Sequence, residues 1–143
     1  MTYEVEIRFP VEFVVDGTPV SLQARGRRRK SLREWQARVK ETSRTALPER
    51  HFASESPIAV TLYYFPAATM QGDIDNIVKP ILDALGKHIY LDDHQVHRVL
   101  IQKFEPDNIF RFPSPSAALE DALARRKPAL YVRLSDDPFE DLR

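Results

Sequence analysis

The sequence predicts a small mixed α/β fold of the α+β kind, one β-sheet with two to three packed helices. Three observations carry this. Short alternating or β-branched runs recur along the chain, stripes of helical period separate them, and strand-like runs outnumber helical ones. At 143 residues, with no internal repeat, the chain fits one domain over 1–143 and can bury a single core without a disulfide or zinc staple.

Residues 3–9 alternate, with Tyr3, Val5, Ile7 and Phe9 on one side and Glu4, Glu6 and Arg8 on the other, which predicts a half-buried strand. Phe13, Val14 and Val15 could continue it before the turn signal Asp16-Gly17. The run Arg25-Gly26-Arg27-Arg28-Arg29-Lys30 repels itself and reads as an exposed loop. Ser31-Leu32-Arg33-Glu34 matches a capping box, so a helix is expected over 31–46, with Leu32, Trp35 and Val39 on its apolar stripe. Residues 58–65 are β-branched and aromatic and predict a strand.

After a loop at 66–72, the stripe Ile77, Ile81, Leu82, Leu85 predicts a helix beginning near Asn76, early enough to tolerate Pro80, with Gly86 as its C-cap. Residues 96–104 predict a further strand. The proline-rich stretch 105–115 predicts a loop, 116–126 a short helix, and Leu130, Val132 and Leu134 a last strand. The acidic tail 136–143 is expected to fray.

Composition excludes several function classes. With no cysteine there is no disulfide framework, thiolate zinc site or cysteine nucleophile. The charged N-terminus is unlike a secretory signal, and no apolar run approaches the roughly 20 residues of a membrane span. A cytoplasmic protein without membrane contact is expected. The 21 basic and 21 acidic residues cancel, which by itself argues against a nucleic-acid binder. Their distribution matters more than their sum, because the basic residues crowd into 25–30 and the acidic ones into 73–93 and the tail.

Asp73 and Asp75 are two apart. In an extended segment residues i and i+2 point the same way, so the two carboxylates would converge and call for a cation. The Asp92-Asp93 pair ends the next apolar segment and could bring a third carboxylate. Carboxylates without thiols or an obvious histidine cluster favour Mg²⁺, or Mn²⁺ as a substitute, over zinc. Lys79, four residues beyond Asp75, would share its helix face and could hold a phosphate.

The simpler alternatives are that Asp75 or Asn76 caps the helix and that Asp92-Asp93 is a polar turn. A calcium-loop reading from Asp73 fails because it needs glycine where Val78 stands and glutamate where Ala84 stands. No glycine-rich loop for a nucleotide cofactor occurs, and no small-molecule cofactor is expected.

The run from Gly72 to Leu85 (G-D-I-D-N-I-V-K-P-I-L-D-A-L), followed by Tyr90-Leu91-Asp92-Asp93-His94-Gln95-Val96, resembles the RusA family of Holliday junction resolvases. The resemblance is strong over 72–96 and looser elsewhere. It implies a small mixed α/β fold, a homodimer, Mg²⁺ dependence and cleavage of four-way DNA junctions. Carried over residue by residue, it implies catalytic aspartates at Asp73, Asp75 and Asp93 and an essential lysine at Lys79, with Asp92 as the neighbouring acid.

The remaining residues carry weaker expectations. Arg25, Arg27, Arg28, Arg29 and Lys30 could line a phosphate track, with Arg125, Arg126 and Lys127 as a second patch. His88, His94 and His97 lie near Asp93 in sequence and read as surface histidines rather than ligands. Trp35 reads as core. Rival readings are a nuclease of the same fold acting on flaps or forks, a junction-binding module that does not cut, and an unrelated Mg²⁺-binding structural domain.

Overall fold

The computed structural model describes residues 3–23 and 26–143. In chain order it contains β1 (Val11–Asp16), α1 (Arg27–Arg44), β2 (Ile58–Phe65), α2 (Asp75–Leu85), β3 (Val96–Lys103), α3 (Ala117–Ala124) and β4 (Ala129–Ser135). Single 3₁₀ turns lie at Asp93–Gln95 and Glu140–Leu142. The four strands form one mixed sheet in the order β1-β4-β2-β3. β4 is antiparallel to both neighbours, and β3 is parallel to β2, with α2 as the crossover between them.

β2 is buried along nearly all its length because both faces of the sheet are covered. Its residues Ile58, Val60, Leu62 and Tyr64 share a core with Trp35 and Val39 of α1 and Ile77, Ile81 and Leu85 of α2. Phe65 on the opposite face packs with Phe104, Leu119, Ala122 and Tyr131 under α3. Side chains such as Ile81 and Leu85, wholly buried, each contribute roughly 1.5–3 kcal/mol by leaving water. Trp35 is core, as its stripe predicts.

Several expectations change. Residues 3–9 form no strand: Val5 makes one isolated bridge with His51, and Tyr3 and Val5 are exposed. The alternating pattern found no neighbouring strand, whereas Val11–Asp16 pairs with β4 along its whole length. The basic run is not all loop either. Arg27, Arg28, Arg29 and Lys30 form the first turn of α1, and the helix ends at Arg44 rather than 46. Ser31 and Glu34 lie within α1 rather than capping it, and Arg29 N–H donates to Gly26 O at 3.0 Å instead. Arginine and lysine are good helix formers, and the helical turn spreads their charges around the axis.

The acidic tail is held rather than frayed. Glu140 receives Arg133 at 2.5 Å and the Ser135 hydroxyl at 3.0 Å, and Asp141 pairs with Arg98 at 2.7 Å.

Pro80 lies inside α2 and is buried. Having no N–H, it leaves the Asn76 carbonyl without its helical donor, and the backbone N–H of Leu22 supplies one at 2.9 Å. The proline thus opens an attachment point for the segment before α1.

Candidate active site

The site is built from two pieces of chain, the entrance and outer face of α2 and the turn that precedes β3. Gly72 turns the backbone into the entrance with a positive φ of 82°, a conformation that favours glycine. Asn76 N–H then donates to Asp73 O at 3.2 Å and Ile77 N–H to Ile74 O at 3.3 Å. The Asp73–Asp75 segment is therefore a tight helix entrance, not the extended stretch that the i, i+2 reading assumed. Asp75 is the first residue of α2, where a carboxylate is also favoured by the helix dipole. Asn76 does not cap the helix; Ile74 holds that position without a side-chain cap.

Ile77, Ile81, Ala84 and Leu85 bury the inner face of α2. At 3.6 residues per turn, the spacing i, i+4, i+8 puts Asp75, Lys79 and Asp83 on the opposite, exposed face. Lys79 Nζ donates to Asp93 Oδ2 at 2.8 Å and lies 2.8 Å from Asp83 Oδ1. The hydrogen bond to Asp83, then that to Asp93, holds its ammonium pKa above the ordinary lysine value. The sequence reading had placed Lys79 with Asp75 and had missed Asp83. The signal was available, since Asp83 stands four residues beyond Lys79.

The Leu91–Gln95 turn is pinned from several directions. Asp92 caps the 3₁₀ turn: its Oδ1 accepts from His94 N–H at 3.1 Å and from His94 Nδ1 at 2.6 Å. Those contacts, the backbone one first, hold the Asp92 carboxyl below the usual range. Gln95 closes the capping box. Its Oε1 accepts from the Leu91 and Asp92 amides, both at 2.8 Å, while Nε2 donates to Ser54 O at 2.8 Å and Ser56 O at 2.9 Å. Beneath the turn, Tyr90 is fully buried and donates from its hydroxyl to Leu82 O at 3.0 Å; burial first, then the nearby Asp93, pushes its pKa up to about 12.

The structure joins Lys79 to Asp93, seats Asp92 as a cap beside them, and leaves Asp73 and Asp75 exposed at the helix entrance. Carboxylate oxygens without thiolates suit a hard divalent cation in kind. In spacing, no three His, Asp or Glu side chains among the described residues stand close enough to hold one ion. The ammonium of Lys79 holds Asp93 instead.

The three histidines do not cluster. His94 binds Asp92, and His97 is exposed on β3. His88 faces α1, with Nε2 2.8 Å from the Ser43 hydroxyl. Burial, followed by the charge of Lys40, lowers its pKa to about 4.

Of the residues proposed to meet DNA, Arg28, Arg29 and Lys30 are exposed on α1, and Arg27 is its first residue. Arg25 lies outside the described residues. Two members of the second patch are engaged in the fold. Lys127 Nζ donates to the carbonyls of Ala122, Leu123 and Arg125, and Arg125 pairs with Asp121 and Asp16. No helix among the described residues is long and apolar enough to cross a membrane.

Comparison with curated proteins gives no significant match. Comparison with protein families gives one, to the model described as endodeoxyribonuclease RusA, over residues 17–111. That span runs from the end of β1 through α1, β2, α2 and β3 and contains every residue of the site just described. The chain therefore belongs to the RusA endodeoxyribonuclease family, a family of Holliday junction-resolving nucleases.

Proposed function

We propose that this protein is a Mg²⁺-dependent endonuclease that, as a homodimer, resolves four-way DNA junctions by phosphodiester hydrolysis. The observation that carries the reading is the contact of Lys79 with Asp93 across the crossover, which brings the turn before β3 against the outer face of the helix that begins at Asp75. Asp73, Asp75 and Asp93 would hold the metal once the exposed entrance carboxylates close on Asp93 and Lys79 releases it, with Asp92 supporting the turn on which Asp93 stands. Mn²⁺ would substitute. When bound, the ion supplies the positive charge that acidifies water and stabilises the leaving oxygen.

The chain's own groups do the rest. Lys79 carries a fixed positive charge that can bind a phosphate oxygen once Asp93 turns away from it. Gln95 keeps the Leu91–Gln95 turn attached to the segment before β2, so Asp93 is presented from a rigid base. An exposed site suits a polymer substrate, which must approach from outside. A homodimer suits a junction, because a two-fold substrate is cut symmetrically by a two-fold enzyme.

The test is an assay on a synthetic four-way junction with Mg²⁺, comparing the wild type with Asp75→Asn. Paired incisions by the wild type, and binding without cutting by the variant, are expected. Binding without cutting by the wild type, in Mg²⁺ and in Mn²⁺, would establish a junction-binding module instead. Preference for flaps or forks would establish a related nuclease of different substrate.

A further inference from the structure

We infer that one flank of α1, formed by Arg29, Arg33 and Lys40, is the track along which a duplex arm of the DNA substrate lies. This rests on the proposed action on DNA but locates a surface that the basic run alone did not. At 3.6 residues per turn these three residues fall within about 40° of one another, so they form a single strip. All three are exposed. Lys30 projects about 60° away from the strip, on the side of Glu34 and Glu41. The strip itself carries cations and no acid, both acids of the helix lying further round on the side of Lys30.

The strip faces the right neighbour. Gln36 lies about 20° beyond it, toward the core, and its Nε2 donates to Pro80 O of α2 at 3.2 Å. Ser43 on that same flank meets His88, just beyond the end of α2. The opposite flank is turned away, with Arg38 donating to Asp16 O on β1. The cationic strip therefore borders the helix whose outer face presents Asp75, Lys79 and Asp83.

Charge bookkeeping over the surface supports the assignment. Arg44, Arg98, Arg125, Arg133 and Arg143 are each neutralised by a carboxylate of this chain. Among the described residues, Arg29, Arg33 and Lys40 form no such pair. A chain of zero net charge can in this way offer a local cationic surface, because charges of opposite sign are paired elsewhere on it. From Arg29 to Lys40 the helix rises about 16 Å, close to the rise of about five nucleotides of one strand.

The test measures binding to a synthetic four-way junction and to a linear duplex, without divalent metal, over a range of salt. Replacing all three residues (Arg29→Gln, Arg33→Gln, Lys40→Gln) should flatten the slope of log affinity against log salt by about 2.7, at about 0.9 per lost phosphate contact. Lys30→Gln should change it by less than about 0.5. Should the triple variant not fold by circular dichroism, each single variant should flatten the slope by about 0.9. An unchanged slope in the triple variant or in all three singles, or an equal change from Lys30→Gln, overturns the strip. If duplex and junction bind equally and the triple variant still flattens both slopes, the strip stands and the junction reading falls. A wild type that binds no DNA at low salt overturns both.

Discussion

The two halves of the acidic site are held in opposite ways. The Leu91–Gln95 turn is locked by a capping box and by the four hydrogen bonds of Gln95, two of them reaching residues about forty positions away. The Asp73–Asp75 entrance has only the backbone turn that starts α2, and its carboxylates stand in solvent. The turn can place Asp93 without help from substrate or ion. The entrance holds two carboxylates with no ion-pair partner among the described residues, and in the proposed function a divalent cation would supply one. One half of the site is preorganised by hydrogen bonds, and the other half depends on electrostatics supplied from outside.

The largest expected effect separates the two adjacent acids of the turn. Asp93→Asn should lower the cutting rate by about 10³-fold, while Asp92→Asn, which keeps an oxygen for the cap, should lower it less than about tenfold; single-turnover rates on a junction decide. Equal losses would mean that both acids meet the reacting phosphate or its ion.

Next, Gln95→Ala should cost about 2–4 kcal/mol by denaturant unfolding, because four backbone groups lose their partner together. A cost below about 1 kcal/mol would show that the turn is not rigid and would erase the contrast between the halves.

The third effect is on pH. His88 titrates at about 4 in the folded chain against an ordinary 6.5, so the unfolded chain binds the extra proton between those values. Its contribution is complete above about pH 6.5 and is lost as pH falls toward 4. After allowance for its partial exposure, this amounts to about 1–2 kcal/mol. Chemical denaturation at pH 7 and pH 4.5 should show the difference shrink in His88→Gln.

The smallest effect falls on the open half. Gly72→Ala meets no atom within 4 Å, so only its positive φ is penalised, at about 1 kcal/mol. Cutting should fall by less than about tenfold if the entrance adapts when its cation binds, and a larger loss would show that this half too is preorganised.

Much of the fold was legible because local periodicity and burial coincide. β2, α2, β3, α3 and β4 lie where their apolar patterns put them, within a residue or two at their ends. The failures share a cause. Residues 3–9 carry a strand's alternation, but a strand also needs a partner along its length, and this segment makes one isolated bridge, from Val5 to His51, whereas Val11–Asp16 pairs with β4 throughout. Ser31 and Glu34 form a good capping box that a helix already begun at Arg27 does not use. The tail is acidic and short, yet it is held by Arg98 and Arg133, which lie on strands far from it in sequence.

By itself, the sequence determined the residue types of the site and their spacing: carboxylates and a lysine at helical intervals, then an acidic turn with its glutamine. Those are local properties, set by 3.6 residues per turn and by the short reach of a cap. Only the tertiary structure decided that Lys79 also reaches Asp93, and that the tail covers two arginines. It also decided that the basic flank of α1 borders α2. Each of those depends on how elements distant in sequence pack on one sheet, and charge pairing follows that packing rather than chain order.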